Sequence, residues 1–150
     1  MSKSDDFENA MLLLVFNNSN IANIGDATGL RGSSTAGSLY VSLHTADPGE
    51  TGTAVTNEAN YTSYARVAVA RASGAGGWTV SANQVQNTST ITFPACTGGS
   101  NTITHFGVVT SESGAGTLLY KGALTPNIAV STGITPTIGA GVAGLSISED

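Results

Sequence analysis

The chain has 150 residues, a length that fits one domain with a sizeable core. Hydrophobic residues make up 40% and charged residues only 10%, which excludes a disordered chain and leaves a surface of hydroxyls and amides. A net charge of −5 with five scattered basic residues excludes a basic patch for nucleic acid, and a single cysteine, Cys96, excludes an intrachain disulfide or a cysteine metal cluster.

Met1–Lys3 reads as a loose terminus. Ser4 or Asp5 can cap a helix, with Glu8 completing a box-like pattern and Asp5, Asp6 and Glu8 favouring the positive end of its dipole. Phe7, Met11 and Leu14 follow helical spacing, while Leu12, Leu13 and Phe16 lie elsewhere on the wheel. This helix is apolar around most of its circumference, more than one core face can bury. Two readings stay open: a helix packed under a sheet, or an arm that docks on another subunit. Acidic residues precede the apolar run Ala10–Phe16 where a signal peptide is basic, and the run is far short of the ~20 residues that cross a bilayer. Asn17–Asn20 stops the helix by side-chain competition for backbone bonds. Ile21–Ser38 is rich in Gly and Ser, with Ile21, Ile24 and Leu30 as apolar anchors, and reads as an extended connector. The expected organisation is therefore a helix and connector arm over 1–38 and a β domain over 39–150.

Two strand patterns follow, joined by a long polar loop. Leu39, Val41 and Leu43 alternate with Tyr40, Ser42 and His44; Ala65, Val67 and Val69 alternate with Tyr64, Arg66 and Ala68. The loop opens on Asp47-Pro48-Gly49, a tight-turn sequence ahead of Glu50. A loop of this length is a contact surface or mobile. Ser73–Gly77 reverses the chain, and short strand patterns recur at Trp78–Val80, around Val85, and at Ser89–Phe93 before Pro94. Ile103–Val109 is apolar on both faces and so belongs in the middle of a sheet. Thr117–Lys121, Ile128 with Val130, and Leu145 with Ile147 give three more patterns, punctuated by Pro126 and Pro136, before a solvated Glu149-Asp150 tail. The spacing predicts an all-β chain: a jelly-roll-like β-sandwich of eight or nine short strands with one N-terminal α-helix. Its inner faces hold Leu39, Val41, Leu43, Val67, Val69, Ile91, Phe93 and Ile103.

Little bond-making chemistry is encoded. His44 and His105 both sit in strand patterns, and a two-histidine metal site needs those strands adjacent, with no carboxylate at motif spacing to complete it. Asp47 and Glu50 flank a turn, and calcium at Asp47, Glu50 and Glu58 needs several more oxygens. Glu58 can form an exposed pair with Arg66, and Arg71 can reach a neighbouring subunit. Trp78, with Ser, Thr and Asn, can line a sugar site. No catalytic residue, cofactor or metal is expected, so the chain does not read as an enzyme.

The run Leu43-His44-Thr45-Ala46-Asp47-Pro48-Gly49-Glu50 is followed by Asn57-Glu58, Tyr61 and Tyr64-Ala65-Arg66-Val67. Further on come Ile91-Thr92-Phe93-Pro94-Ala95, Ile103-Thr104-His105-Phe106-Gly107, and Leu119-Tyr120 ahead of Gly122-Ala123-Leu124. Together they resemble a module of tailed-bacteriophage virion structural proteins, often labelled tail fibre proteins. The resemblance covers Leu39 to Asp150. In size and composition the chain is also similar to the small cement proteins that decorate phage heads. The resemblance implies a place in the virion, after assembly in the bacterial host cytoplasm. It implies the major capsid protein and copies of itself as partners in a homo-oligomer, without direct contact to nucleic acid or membrane. The expected role is capsid decoration, bridging capsid subunits outside the head shell; the alternative is a tail-fibre or tail-associated protein contacting host-surface glycan. The expected contact residues are Phe7, Met11, Leu14, Ile21, Ile24, Asp47, Pro48, Gly49, Glu50 and Arg66.

Overall fold

The computed structural model describes residues 2–149. Among the described residues one α-helix, α1 (Asp5–Asn17), precedes nine strands: β1 (Ser38–His44), β2 (Val67–Ala70), β3 (Trp78–Ser81), β4 (Gln84–Asn87), β5 (Ile91–Thr92), β6 (Ser100–Val109), β7 (Leu118–Ser131), β8 (Thr137–Ile138) and β9 (Ser146–Ser148). They form three sheets, ordered β2-β1-β6-β7, β3-β4-β9 and β5-β8. The expected class, all-β behind one N-terminal helix, is what the chain adopts. Contacts group it into two compact units. One comprises the residues before Leu39, Val69–Thr90 and the segment from Ile138 on; the other comprises Leu39–Ala68 and Ile91–Thr137.

In the first unit α1 starts without a side-chain cap, contrary to the box-like pattern. The Ser4 carbonyl instead accepts from the Phe7 and Glu8 N–H groups, both at 2.9 Å. Its buried face is Glu8, Leu12 and Phe16, one residue every turn. Phe16 meets Trp78 edge-on with centroids 4.9 Å apart, and both side chains are fully buried. This corrects the sugar-site reading of Trp78, since its ring has no face to offer. The helix ends at Asn18, whose left-handed backbone (φ 57°) lets the Ser19 N–H reach back to Leu13 O at 3.1 Å. Arg71 donates to the last carbonyls, to Val15 O from Nε and to Leu14 O from Nη2, each at 2.7 Å. It therefore caps its own helix where the sequence suggested a reach to a neighbour.

The connector does not run extended. Ile21 and Leu30 exchange backbone hydrogen bonds at 2.9 Å, closing a loop whose Asp26 carboxylate accepts from the Thr28 and Gly29 N–H groups. Gly29 (φ +63°) admits no side chain there, because a Cβ would lie 1.8 Å from Ile21 O. The β3–β4 hairpin turns at Ala82, which takes positive φ (52°), and β9 pairs on β4 with Val85 opposite Ile147. Buried Asn87 ties this sheet to the following segment, donating to Ser89 O and Gly139 O and accepting from the Leu145 N–H. At the ends, Lys3 and Glu149 pair at 2.7 Å, so neither is loose; Met1 and Asp150 lie outside the described residues.

In the second unit β6 is central, as its two apolar faces require, with β1 on one side and β7 on the other. The β1–β6 register sets Ser42 opposite Gly107, Leu43 opposite Phe106 and His44 opposite His105. The sequence broke β7 into two strands around Pro126; the structure runs it as one, 14 residues long. Pro126 has no N–H for the ladder, and the register accommodates it in a bulge: Ile103 pairs Ile128 and His105 pairs Ala123. Leu39, Val41, Leu43, Val69, Ile91, Phe93 and Ile103 are buried as expected, and Val67 is half-buried. Cys96 is a buried thiol, as its composition suggested.

Candidate functional site

The long loop between β1 and β2 carries the sequence motif, and its geometry begins at His44. Antiparallel pairing alternates faces, which turns the His44 and Ser42 side chains to the same side of β1. His44 is fully buried. Its Nδ1 lies 2.8 Å from Thr56 O and its Nε2 lies 2.8 Å from Ser42 Oγ. A carbonyl can only accept, so Nδ1 carries the proton and Nε2 accepts from the Ser42 hydroxyl. Burial holds His44 below its ordinary pKa, which keeps that tautomer neutral. The Ser–His spacing is that of a nucleophile and its base. Here both groups are sealed from solvent and fully committed, so the pair pins Thr56 of the loop to β1. Gly107 makes room for it, since a Cβ there would sit 2.6 Å from Ser42 Oγ and 2.8 Å from His44 Nε2. His105 faces His44 across the ladder, with its Nδ1 2.8 Å from Thr104 Oγ1. With both His44 nitrogens occupied, the two-histidine metal site has no ligand to contribute, and among the described residues no group of three or more His, Cys, Asp or Glu is placed to hold a metal ion.

A second anchor sits at the other end of the loop. Arg66 meets Glu58 twice, Nε to Oε1 at 2.6 Å and Nη2 to Oε2 at 2.8 Å. Its remaining donors go to Ser111 O, Ser111 Oγ and Gly114 O, so all five N–H groups are used. The Tyr64 hydroxyl donates to Glu58 Oε1 and accepts from the Leu43 N–H, each at 3.0 Å. Burial pushes the Tyr64 phenol above its ordinary pKa, and the Glu58 carboxylate holds Arg66 above its own. The sequence expected an exposed pair, but the Arg66 and Glu58 side chains are only 3% and 15% exposed. The reason is positional: Ser63 turns through positive φ (78°), so Tyr64–Arg66 precede β2 and fold into the loop rather than alternate along a strand.

Between these anchors the loop tip is ordered by small turns. Asp47 accepts from the Gly49 N–H at 2.8 Å, the turn its Asp-Pro-Gly sequence predicts, and this bond holds the carboxyl below its ordinary pKa. Lys121 of β7 pairs with Asp47 at 3.1 Å and Glu50 at 3.0 Å, and Glu50 first, then Asp47, holds its ammonium above the ordinary value. Asn57 donates to Asp47 O and accepts from the Thr45 N–H. An open cleft of about 420 Å³ lies over the Glu58–Arg66 pair, lined also by Tyr64, Ala65, Glu112 and Ser113.

The expected contact residues fall in both units. In the first, Phe7 and Ile24 are each 38% exposed, Met11 and Leu14 are half-buried, and Ile21 is buried in its bridge. In the second, Asp47 and Glu50 are exposed, Gly49 is half-buried, and Pro48 and Arg66 are buried. Arg66 therefore has no donor left for another subunit, and its role is to hold the loop. Sequence reasoning named the Glu58–Arg66 pair but as an exposed one, and missed its burial, the part of Tyr64 in it and the Ser42–His44 pair. The signal was present: a carboxylate, a phenol and a guanidinium within nine residues, in a stretch where charge is scarce.

The chain is a phage virion structural protein, and what shows it is a family match over nearly its whole length. The family described as Podophage GP4 fiber I protein gp80 has a model that matches residues 3–146, and the chain belongs to that family. The match takes in α1 and the connector as well as the β body, further than the resemblance from Leu39 onwards reached. A comparison with curated proteins finds no match.

Proposed function

We propose that the chain is a fibre component of the phage virion and that it works by adhesion, without a bond-making centre. What carries the fibre reading over head decoration is the family match along residues 3–146. The geometry supports adhesion. The Ser42–His44 pair is sealed, the Glu58–Arg66 pair saturates its donors, and the outward polar side chains near them include Asp47 and Glu50 at the tip and Glu112 and Ser113 at the cleft rim. A loop held at both ends presents its tip without losing entropy on contact. Hydroxyl-bearing surface groups, as on host glycan, suit that rim, which offers carboxylate acceptors and a hydroxyl.

Copy number and position test this reading. In purified virions a fibre component is present in a small, fixed number per particle, and antibody to the chain labels the tail end by electron microscopy. Copies in the hundreds, with label over the head, overturn the fibre reading in favour of the decoration role.

A further inference from the structure

The cleft over the Glu58–Arg66 pair is shaped by one guanidinium. Arg66 donates from Nη1 to Ser111 O at 2.9 Å and from Nη2 to Gly114 O at 2.8 Å, the carbonyls on either side of Glu112 and Ser113. Next to Gly114, Ala115 O accepts from the Ala54 N–H at 2.8 Å. The β6–β7 turn is thus held on both flanks, and Glu112 and Ser113 stand exposed between the fixed points, lining the cleft. Among the described residues nothing bonds to the Glu112 carboxylate or the Ser113 hydroxyl. Glu58 lines the same cleft. Its Oε1 accepts from Tyr64 and Arg66, whereas its Oε2 accepts from Arg66 alone and keeps acceptor capacity. Every N–H of Arg66 is committed, so no lining side chain has an N–H to offer a ligand. Arg66 cancels the charge of Glu58, which leaves the cleft with the negative charge of Glu112, on a chain of net charge −5.

We propose that this cleft binds an amino sugar, a saccharide ring with a free ammonium group beside its hydroxyls. The ammonium pairs with Glu112, and ring hydroxyls donate to Glu58 Oε2 and exchange a hydrogen bond with Ser113. A sugar acid finds two carboxylates and no cationic donor, and is turned away. A lysine side chain brings the ammonium without the hydroxyls, and leaves Glu58 Oε2 and Ser113 unanswered. At about 420 Å³ the cleft is in the size range of small-ligand sites. Because Arg66 fixes the turn beforehand, contact orders little of the backbone. The inference rests on the adhesion reading and names the class of glycan that reading leaves open.

The test is calorimetric titration of the purified full chain with a glucosamine tetramer, its N-acetylated form, a galacturonate tetramer and tetralysine. The glucosamine tetramer binds. Acetylation removes the charge and weakens binding roughly tenfold, the worth of one hydrogen bond to a charged group, and galacturonate does not bind. Glu112→Gln brings the glucosamine tetramer down to the level of its acetylated form, and the thermal midpoint of the chain stays unchanged because Glu112 is exposed. Equal binding of the two glucosamine forms, binding of galacturonate, indifference to Glu112→Gln, or no binding of the glucosamine tetramer at millimolar concentration overturns the proposal. So does tetralysine that binds as tightly and with the same dependence on Glu112, since the site then takes a protein partner. These titrations use no virion, so their failure leaves the copy-number and labelling test of the fibre reading standing.

Discussion

Replacing Arg66 with Met keeps a long apolar stem and removes the guanidinium. Five hydrogen bonds go with it, two of them to Glu58. Breaking a buried ion pair by deleting one partner costs about 3–5 kcal/mol, because the other charge stays buried and unpaired. Two features reduce that figure here. Glu58 is 15% exposed and recovers some hydration, and Ser111 and Gly114 lie on a solvent-facing turn where water replaces the guanidinium. The expected loss is about 2–4 kcal/mol, which at a urea m-value of about 2 kcal/mol/M moves the midpoint down by about 1–2 M. Glu58→Gln, and the double variant, complete a cycle whose coupling term is about 1–3 kcal/mol. The unfolding midpoints in urea are the measurement. A loss below about 1 kcal/mol for Arg66→Met, the range of exposed pairs, refutes the claim that this pair is a buried anchor.

Three further outcomes follow from the same geometry. Burial holds the His44 pKa below 6.5, opposed by its bond to Thr56 O and by Glu58 and reinforced by Arg66 and His105. Between the folded and unfolded pKa the unfolded chain binds a proton that the folded chain does not, so stability is full above 6.5 and falls as the pH drops below it. Urea midpoints measured across that range fall with pH in the parent and fall less in His44→Gln. Gly107→Ala forces a Cβ against Ser42 Oγ and Leu118 Cδ1, at 2.6 and 2.9 Å, and costs about 1–3 kcal/mol; adding Ser42→Ala recovers part of it in thermal melts. Arg71→Met strips the donors from Leu14 O and Val15 O and costs about 1–2 kcal/mol, seen as faster hydrogen exchange in the last turn of α1 with the second unit's amides unchanged.

What the sequence disclosed follows from the range of the interactions involved. Strand identity depends on period-two alternation, a local property, so β1, β3, β4 and β6 were legible, as was the central place of β6 from its two apolar faces. Turn chemistry is equally local, and Asp47-Pro48-Gly49 folds as its residues demand. What failed depended on partners distant in sequence. The α1 core face is set by Trp78, more than sixty residues on, so helical spacing alone pointed to Phe7, Met11 and Leu14 instead of Leu12 and Phe16. Arg66 looked like an outward strand residue because its carbonyl acceptors at Ser111 and Gly114 are invisible from within its own stretch. β7 was split because Pro126 rules out a ladder bond, and only the opposing register shows that a bulge absorbs it.

Those same long-range contacts explain why a loop so rich in small polar residues is ordered. Among the ties that reach it from outside its own sequence, three involve side chains that can carry charge: His44 from β1, Lys121 from β7, and the Ser111–Gly114 turn through Arg66. Each uses a different chemistry, a neutral buried imidazole, an exposed ammonium and a buried guanidinium, and they titrate in different ranges. Acidification therefore acts on the ties separately. Below 6.5 the second proton of His44 goes to Nε2, which no longer accepts from the Ser42 hydroxyl and brings a charge into a sealed pocket, while Nδ1–H still donates to Thr56 O; the Asp47–Lys121 contact is lost when the Asp47 carboxylate, held below its ordinary value by the Gly49 N–H, is protonated. The Glu58–Arg66 pair keeps its cation throughout, since Arg66 is held above its already high value. Amide exchange measured as a function of pH resolves two separate steps, one in the Thr56–Glu58 amides and one in the Gly49 amide. Simultaneous loss of both shows that the loop opens as one cooperative unit instead of tie by tie.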